Sequence, residues 1–317
     1  MTWVTWRQYR YQSALAAALL AVLAVLLLTT GLHAAQVWHS AVTGCAKGGS
    51  CASLGALSLG SSAVAALVVY TAAVPLLPGL FWGAPAVAHE LETGTNQFAW
   101  TQSITRRRWL VVRTGWLLLA AAVLAGVVSA LVTWWSGPDN ALYANAFEAN
   151  KFDVTDIVPV GYAVFAMALG ICAGALLRRT LPALAVTLAG FVALRALIAQ
   201  WLRPHYLPSV TVYYKLMGLY APKGSYLNVS QGIVGPNGKP PAGLGSYVFN
   251  GAPIPTVCAK VVQNPAPCMT EHGYREYLTY QPASRFWAFQ GIETGIFVVF
   301  AAILLGVTFW VLKRRDA

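Results

Sequence analysis

Charge is scarce in this chain of 317 residues: only 10% are Asp, Glu, Lys or Arg, against about 25% in soluble domains. With 57% of residues hydrophobic, that scarcity excludes an ordinary water-soluble domain. Acidic residues are scarcest, 10 against 21 Lys and Arg. Catalytic signatures are missing as well. The nearest approach to a GxxxxGK[ST] phosphate loop is Gly235-Pro236-Asn237-Gly238-Lys239, and Pro240 follows it where Ser or Thr is required. Neither HExxH nor GxSxG occurs, and His33, His39, His89, His205 and His272 are scattered. No metal site, cofactor site or catalytic residue is therefore expected on this chain.

What is present is a set of apolar runs. Six of them, at 13–32, 62–82, 110–135, 157–177, 181–202 and 287–312, approach or exceed the roughly 20 residues needed to cross the ~30 Å hydrocarbon core as a helix. Lipid leaves backbone polar groups no partner but the helix itself or a closed barrel. The expected fold is an all-α membrane protein of six transmembrane helices.

The basic residues sort to one side. Arg7, Arg10, Arg106, Arg107, Arg108, Arg113, Arg178, Arg179, Lys313, Arg314 and Arg315 flank the spans on one face. The short loops opposite hold Lys47 and Lys151 against Asp139, Glu148, Asp153 and Asp156. This bias places both termini in the cytoplasm. The net charge of +11 is thereby read as topology, with membrane lipid as the partner and no nucleic acid.

Cysteine usage gives an independent check. Cys45 and Cys51 fall in the first outer loop, and Cys258 and Cys268 in the segment before the last span. Oxidising compartments permit disulfides, so Cys45–Cys51 and Cys258–Cys268 are expected, although four cysteines allow three connectivities. Cys172 lies alone in the fourth span. The first apolar run exceeds the ~7–15 residues of a signal-peptide core, so it is expected to remain in the mature protein.

Residues 1–12 interleave Trp3, Trp6 and Tyr9 with Arg7 and Arg10, a pattern suited to an interfacial helix. Residues 13–202 carry the first five spans. Pro75, Pro78 and Pro85 close the second span, where they favour a kink. The segment 203–286 is too long for a linker and reads as a small mixed extracytoplasmic cap, with β-like runs at 209–215 and 225–234. Residues 287–317 supply the sixth span and a cytoplasmic tail.

Two charges fall inside spans. Arg195 and Glu293 each sit about two turns from the outer end of their helix, roughly 10 Å deep at 1.5 Å per residue. Intramembrane charges are costly and tend to pair, so an Arg195–Glu293 contact is expected; the alternative is that each snorkels to the outer surface. Gly170-x-x-x-Gly174 and Gly291-x-x-x-Gly295 allow close helix approach, without saying to what.

The run Glu90-Leu91-Glu92-Thr93-Gly94-Thr95, followed by Trp100-Thr101-Gln102 and Arg106-Arg107-Arg108-Trp109, resembles the ABC-2 type permease subunits of ABC transporters. It looks especially like their actinobacterial branch, as does Tyr280-Gln281-Pro282-Ala283-Ser284-Arg285-Phe286-Trp287 leading to Glu293. The resemblance implies a half-transporter of the bacterial plasma membrane. It would pair with a second permease subunit, as homodimer or heterodimer, and dock cytosolic ABC ATPase subunits that hold ATP and Mg. It further implies a coupling region at 84–108, in which Glu90, Glu92, Gly94 and Thr95 meet the ATPase while Gln102, Arg106, Arg107 and Arg108 orient the loop. Export is the implied direction. With few charges along the spans, a hydrophobic or amphiphilic substrate is expected. The rival readings are a membrane-embedded enzyme using His205, Glu271, His272 and Glu276, and a ligand-sensing accessory protein acting through the cap.

Overall fold

The computed structural model describes residues 71–93, 106–143, 146–218, 222–241, 243–249, 252–258 and 264–315, with Tyr220, helix 21–33 and a few positions beside it. The chain divides into two compact units, one of Met1–Tyr143, Ala149–Ile198 and Ala288–Ala317, the other of Ala144–Glu148 and Ala199–Trp287. The expected interfacial helix 1–12 and the Cys45–Cys51 loop lie outside the described residues.

The first unit is helical. Helix α1 is Ala21–His33. From Thr71 the chain enters a 3-10 turn, Val74–Leu76, and a π turn, Gly79–Gly83. Pro75 and Pro78 have no N–H to give the α-helical ladder, and the Ala84 N–H reaches back five residues to Gly79 O. The kink expected from the prolines thus takes the form of two non-α turns. The chain then continues as α2 (Ala84–Thr93), α3 (Arg106–Tyr143), a short turn Ala149–Phe152, α4 (Val158–Leu177), α5 (Thr180–Leu197) and α6 (Phe286–Arg315).

Among the described residues, four helical stretches are long and apolar enough to cross a membrane: Val111–Gly137, Val158–Leu177, Thr180–His205 and Ala283–Arg314. They cover the third to sixth of the expected spans, and the protein is a multi-pass membrane protein. Of the other two expected spans, the first is described only as α1, an apolar helix too short to be counted with these four, and the second only from Thr71 onward.

Helix α4 is the axis of this unit. Of its apolar window 72% is buried, against 33% for α3 and 22% for each of the other two spans. Its small side chains explain this. A Cβ on Gly174 would stand 2.6 Å from Ala84 O, and one on Gly170 would strike Gly79 O. The backbones of α4 and the π turn leading into α2 are therefore in direct contact, the close approach that small-xxx-small spacing allows. Helix α4 ends with Arg178 in a left-handed conformation, φ +53°, its N–H on Gly174 O. Arg179 is extended, so the chain reverses into α5 within two residues.

The second unit contains a three-stranded antiparallel sheet, in spatial order β1 (Val210–Lys215), β5 (Arg275–Gln281), β2 (Leu227–Val234), and a hairpin of β3 (Gly243–Phe249) and β4 (Ala252–Pro255). Leu216, Ile233, Ile254, Cys258 and Met269 form its buried cluster. Gln281, wholly buried, donates to Pro204 O (3.2 Å) and Leu207 O (2.6 Å) and accepts from Arg285 (2.6 Å). Those bonds tie the end of β5 to the segment that precedes β1.

Candidate functional site

Among the described residues, a polar site inside the helical unit is built from the segment 149–156 and helices α3, α4, α5 and α6. The turn Ala149–Phe152 leads to Asp153, and the Lys151 carbonyl accepts from Val154 N (3.1 Å), Thr155 N (3.1 Å) and the Thr155 hydroxyl (2.9 Å). Asp156, at φ +59°, is held on α3, where Ser129 Oγ donates to its carbonyl (2.6 Å) and Thr133 Oγ1 accepts its N–H (2.9 Å). From α6, Gln290 accepts from Val158 N (3.0 Å) and donates to Phe152 O (3.3 Å). These bonds hold a polar segment against the apolar end of α4.

On this frame Arg195 of α5 ion-pairs with Asp153, Nη2 and Nε lying 2.9 and 3.2 Å from Oδ2. Its Nη1 donates to Ala72 O at 2.9 Å, and its guanidinium lies 5.1 Å from the Tyr162 ring centroid. The Tyr162 hydroxyl stands between two carboxylates, 2.5 Å from Glu293 Oε1 and 3.2 Å from Asp153 Oδ1. Glu293 and Tyr162 are fully buried and Asp153 nearly so. Phe191 and Phe297 pack edge-on to the Tyr162 ring. The expected Arg195–Glu293 contact does not form: Arg195 pairs with Asp153 instead, and Glu293 takes the Tyr162 hydroxyl, so the two charges share a cluster only through Asp153 and Tyr162.

Sequence reasoning missed Asp153 and Tyr162. In sequence Asp153 reads as an outer-loop acid because polar residues flank it, whereas the chain folds it inward. Tyr162 was hidden in the apolar run of α4. The available signal was its hydroxyl, which needs a partner when buried.

At the far end of α5 lies a second polar junction. Glu92, in the last turn of α2, accepts through Oε2 from the Thr180 hydroxyl (2.7 Å) and the Thr180 N–H (3.2 Å). The carboxylate caps the first turn of α5, where the helix dipole favours negative charge. The Thr180 hydroxyl and then its N–H hold the exposed Glu92 carboxyl below its usual pKa; His89 and Arg179 add to this, and some loss of hydration opposes it. Of the other expected coupling residues, Glu90 lies in α2, and Arg106, Arg107 and Arg108 form the first turn of α3. Gly94, Thr95 and Gln102 lie outside the described residues.

In the second unit Cys258 and Cys268 form the expected disulfide, S–S 2.05 Å and Cα–Cα 5.9 Å. His272 lies beside them, and the three ligand atoms fall within 4.8 Å of one another. The disulfide consumes both thiolates, so this group is not a metal site. His205 Nδ1 is bonded to Trp201 O and His272 Nδ1 to Cys268 O, both at 2.9 Å and each within its own turn. A cavity of about 330 Å³ opens on the sheet, lined by Tyr214, Gln231, Gly232, Ile233 and Glu276.

Membrane-length apolar helices packed around the glycine-lined α4 define a polytopic membrane protein. Residues 17–203 match the family described as ABC-2 membrane transporter related, and the chain belongs to that family. The match takes in Asp153, Tyr162, Glu92, Thr180 and Arg195 and stops before Glu293 and most of the second unit. No curated protein and no solved structure matches the chain.

Proposed function

We propose that this chain is the permease subunit of an ATP-driven exporter of the bacterial plasma membrane. In this reading it pairs with a second permease subunit and docks cytosolic ATPase subunits that carry the ATP and Mg. The observation that carries the reading is family membership over residues 17–203 in a chain without a phosphate loop of its own. In the chain, residues 94–105 run between α2 and the arginine-rich start of α3, where the family resemblance puts the coupling region. Glu90, Glu92, Gly94, Thr95, Gln102 and Arg106–Arg108 would form its contact with the ATPase. Arg195 is ion-paired to Asp153, and the Tyr162 hydroxyl stands against Glu293; with so few charges along the spans, a hydrophobic or amphiphilic substrate is favoured over a small ion.

The test is affinity purification of the full chain from its native membrane. An ATPase subunit should come with it, and deletion of Gly94-Thr95 should remove that subunit while the permease still inserts. Purification of the intact chain without an ATPase, together with transport that consumes no nucleotide, overturns the reading. The cavity at Tyr214, Gln231 and Glu276 favours one secondary reading, ligand sensing by the cap. That reading predicts ligand binding without transport.

A further inference from the structure

Helix α5 and the chain segment running into α2 are fastened together at two separate places. At one, Thr180, the first residue of α5, gives its hydroxyl and its N–H to the same oxygen of Glu92. At the other, Arg195 in the last turn of α5 donates to Ala72 O. The two fastenings stand on α5 roughly 22 Å apart at 1.5 Å per residue. Between them Ala84 and Ala88 of α2 pack with Ala183 of α5 in one buried cluster. A single contact would leave a pivot, but two contacts at opposite ends fix direction as well as position. Each is charge-assisted, the stronger class of hydrogen bond.

From this geometry we infer that segment 71–93 and α5 move as one rigid body, with Thr180 the positioning residue that passes a displacement of α2 to α5. The inference rests on the proposed coupling to an ATPase through the connection that follows α2. It goes beyond that reading by naming which helix is driven and through which side chain. Thr180 can do this because its hydroxyl and N–H converge on one acceptor, so a shift of Glu92 carries the first turn of α5 with it. At the other end Arg195, already ion-paired to Asp153, carries the same motion into the intramembrane cluster.

The test has two arms. Spin labels at Phe81 and Leu181, 61% and 79% exposed, report the distance between the segment and α5 in the full chain without any ATPase. Thr180→Val, which keeps the shape and the N–H but removes the hydroxyl, should broaden that distance distribution. Thr180→Ser should leave it as in the parent. In proteoliposomes of the complex with its ATPase, Thr180→Val should lower the export of a fluorescent amphiphilic dye per ATP hydrolysed by about fivefold, the low end of coupling between sites, at an unchanged ATPase rate. Thr180→Ser should restore the ratio. A Thr180→Val distribution as narrow as the parent's, or a Thr180→Ser variant as impaired as Thr180→Val, overturns the inference. If the parent complex hydrolyses no ATP, the coupling reading fails instead, and the spin-label arm still decides this one.

Discussion

The same five-residue pattern, glycine at both ends of a turn, occurs in α4 and in α6 and has opposite fates. In α4, Gly170 and Gly174 face inward, and an added Cβ would run into the backbones of Gly79, Gly83 and Ala84. In α6, Gly291 and Gly295 have nothing within 4 Å of an added Cβ, and the same holds for Gly306 further along. The inward side of α6 is built instead from Phe289, Glu293 and Phe297. A GxxxG pattern therefore states that a close approach is possible and leaves the partner to the rest of the sequence. In α4 the partner is supplied by the proline-broken segment before α2, whose own glycines complete the contact.

The sharpest way to break this comparison is to place bulk at both sites. Gly170→Leu with Gly174→Leu should abolish the folded protein. Overpacking costs about 1–3 kcal/mol per site when side chains can give way, and here the obstacle is backbone on both sides. The total should exceed the roughly 5 kcal/mol margin of a marginally stable fold. Gly291→Leu with Gly295→Leu should leave the melting temperature of the single chain nearly unchanged. Size-exclusion profiles and thermal melts of the two purified variants check this. Equal damage in both would mean that the open face of α6 is packed after all.

The second test concerns what α6 buries in place of glycine. Glu293 is held by Tyr162, which also contacts Asp153, and Asp153 depends on Arg195. Arg195→Ala should destabilise the unit by about 3 kcal/mol, because it leaves a buried carboxylate without its cation. Arg195→Met combined with Asp153→Leu should recover most of that loss. If the single variant melts like the parent, the cluster is not what anchors the α6 side.

These features differ in how far the sequence reveals them. The apolar runs at 110–135, 157–177, 181–202 and 287–312 are legible because lipid imposes one solution on any such stretch. The Cys258–Cys268 bridge is legible because its cysteines lie close together in a polar segment outside the spans. Partners are harder to read. Asp153 is followed by Val154-Thr155-Asp156, which looks like a solvated loop, and only the hydrogen bonds from α3 and α6 fold it inward. Glu92 stands out in sequence through a family-like run, whereas its bond to Thr180 depends on the two-residue turn between α4 and α5. That turn is visible in Arg178-Arg179, but the residue it brings against α2 is not.

The smallest expected effect sharpens the comparison most finely. Alanine in place of Gly291 and Gly295 adds one methyl group each at positions where nothing obstructs it. In a helix interior glycine costs up to about 1 kcal/mol relative to alanine, through backbone entropy and lost side-chain cover. The double Gly291→Ala, Gly295→Ala variant should therefore melt slightly higher than the parent as a single chain. The matching change at Gly170 and Gly174 should lower the melt, since even a methyl group meets carbonyl oxygens there. The two double variants thus carry the same chemistry with opposite signs. A rise for α6 in detergent together with a fall in the assembled complex would show that a second helix uses that glycine face only after assembly. A fall in both settings would erase the distinction between the two helices.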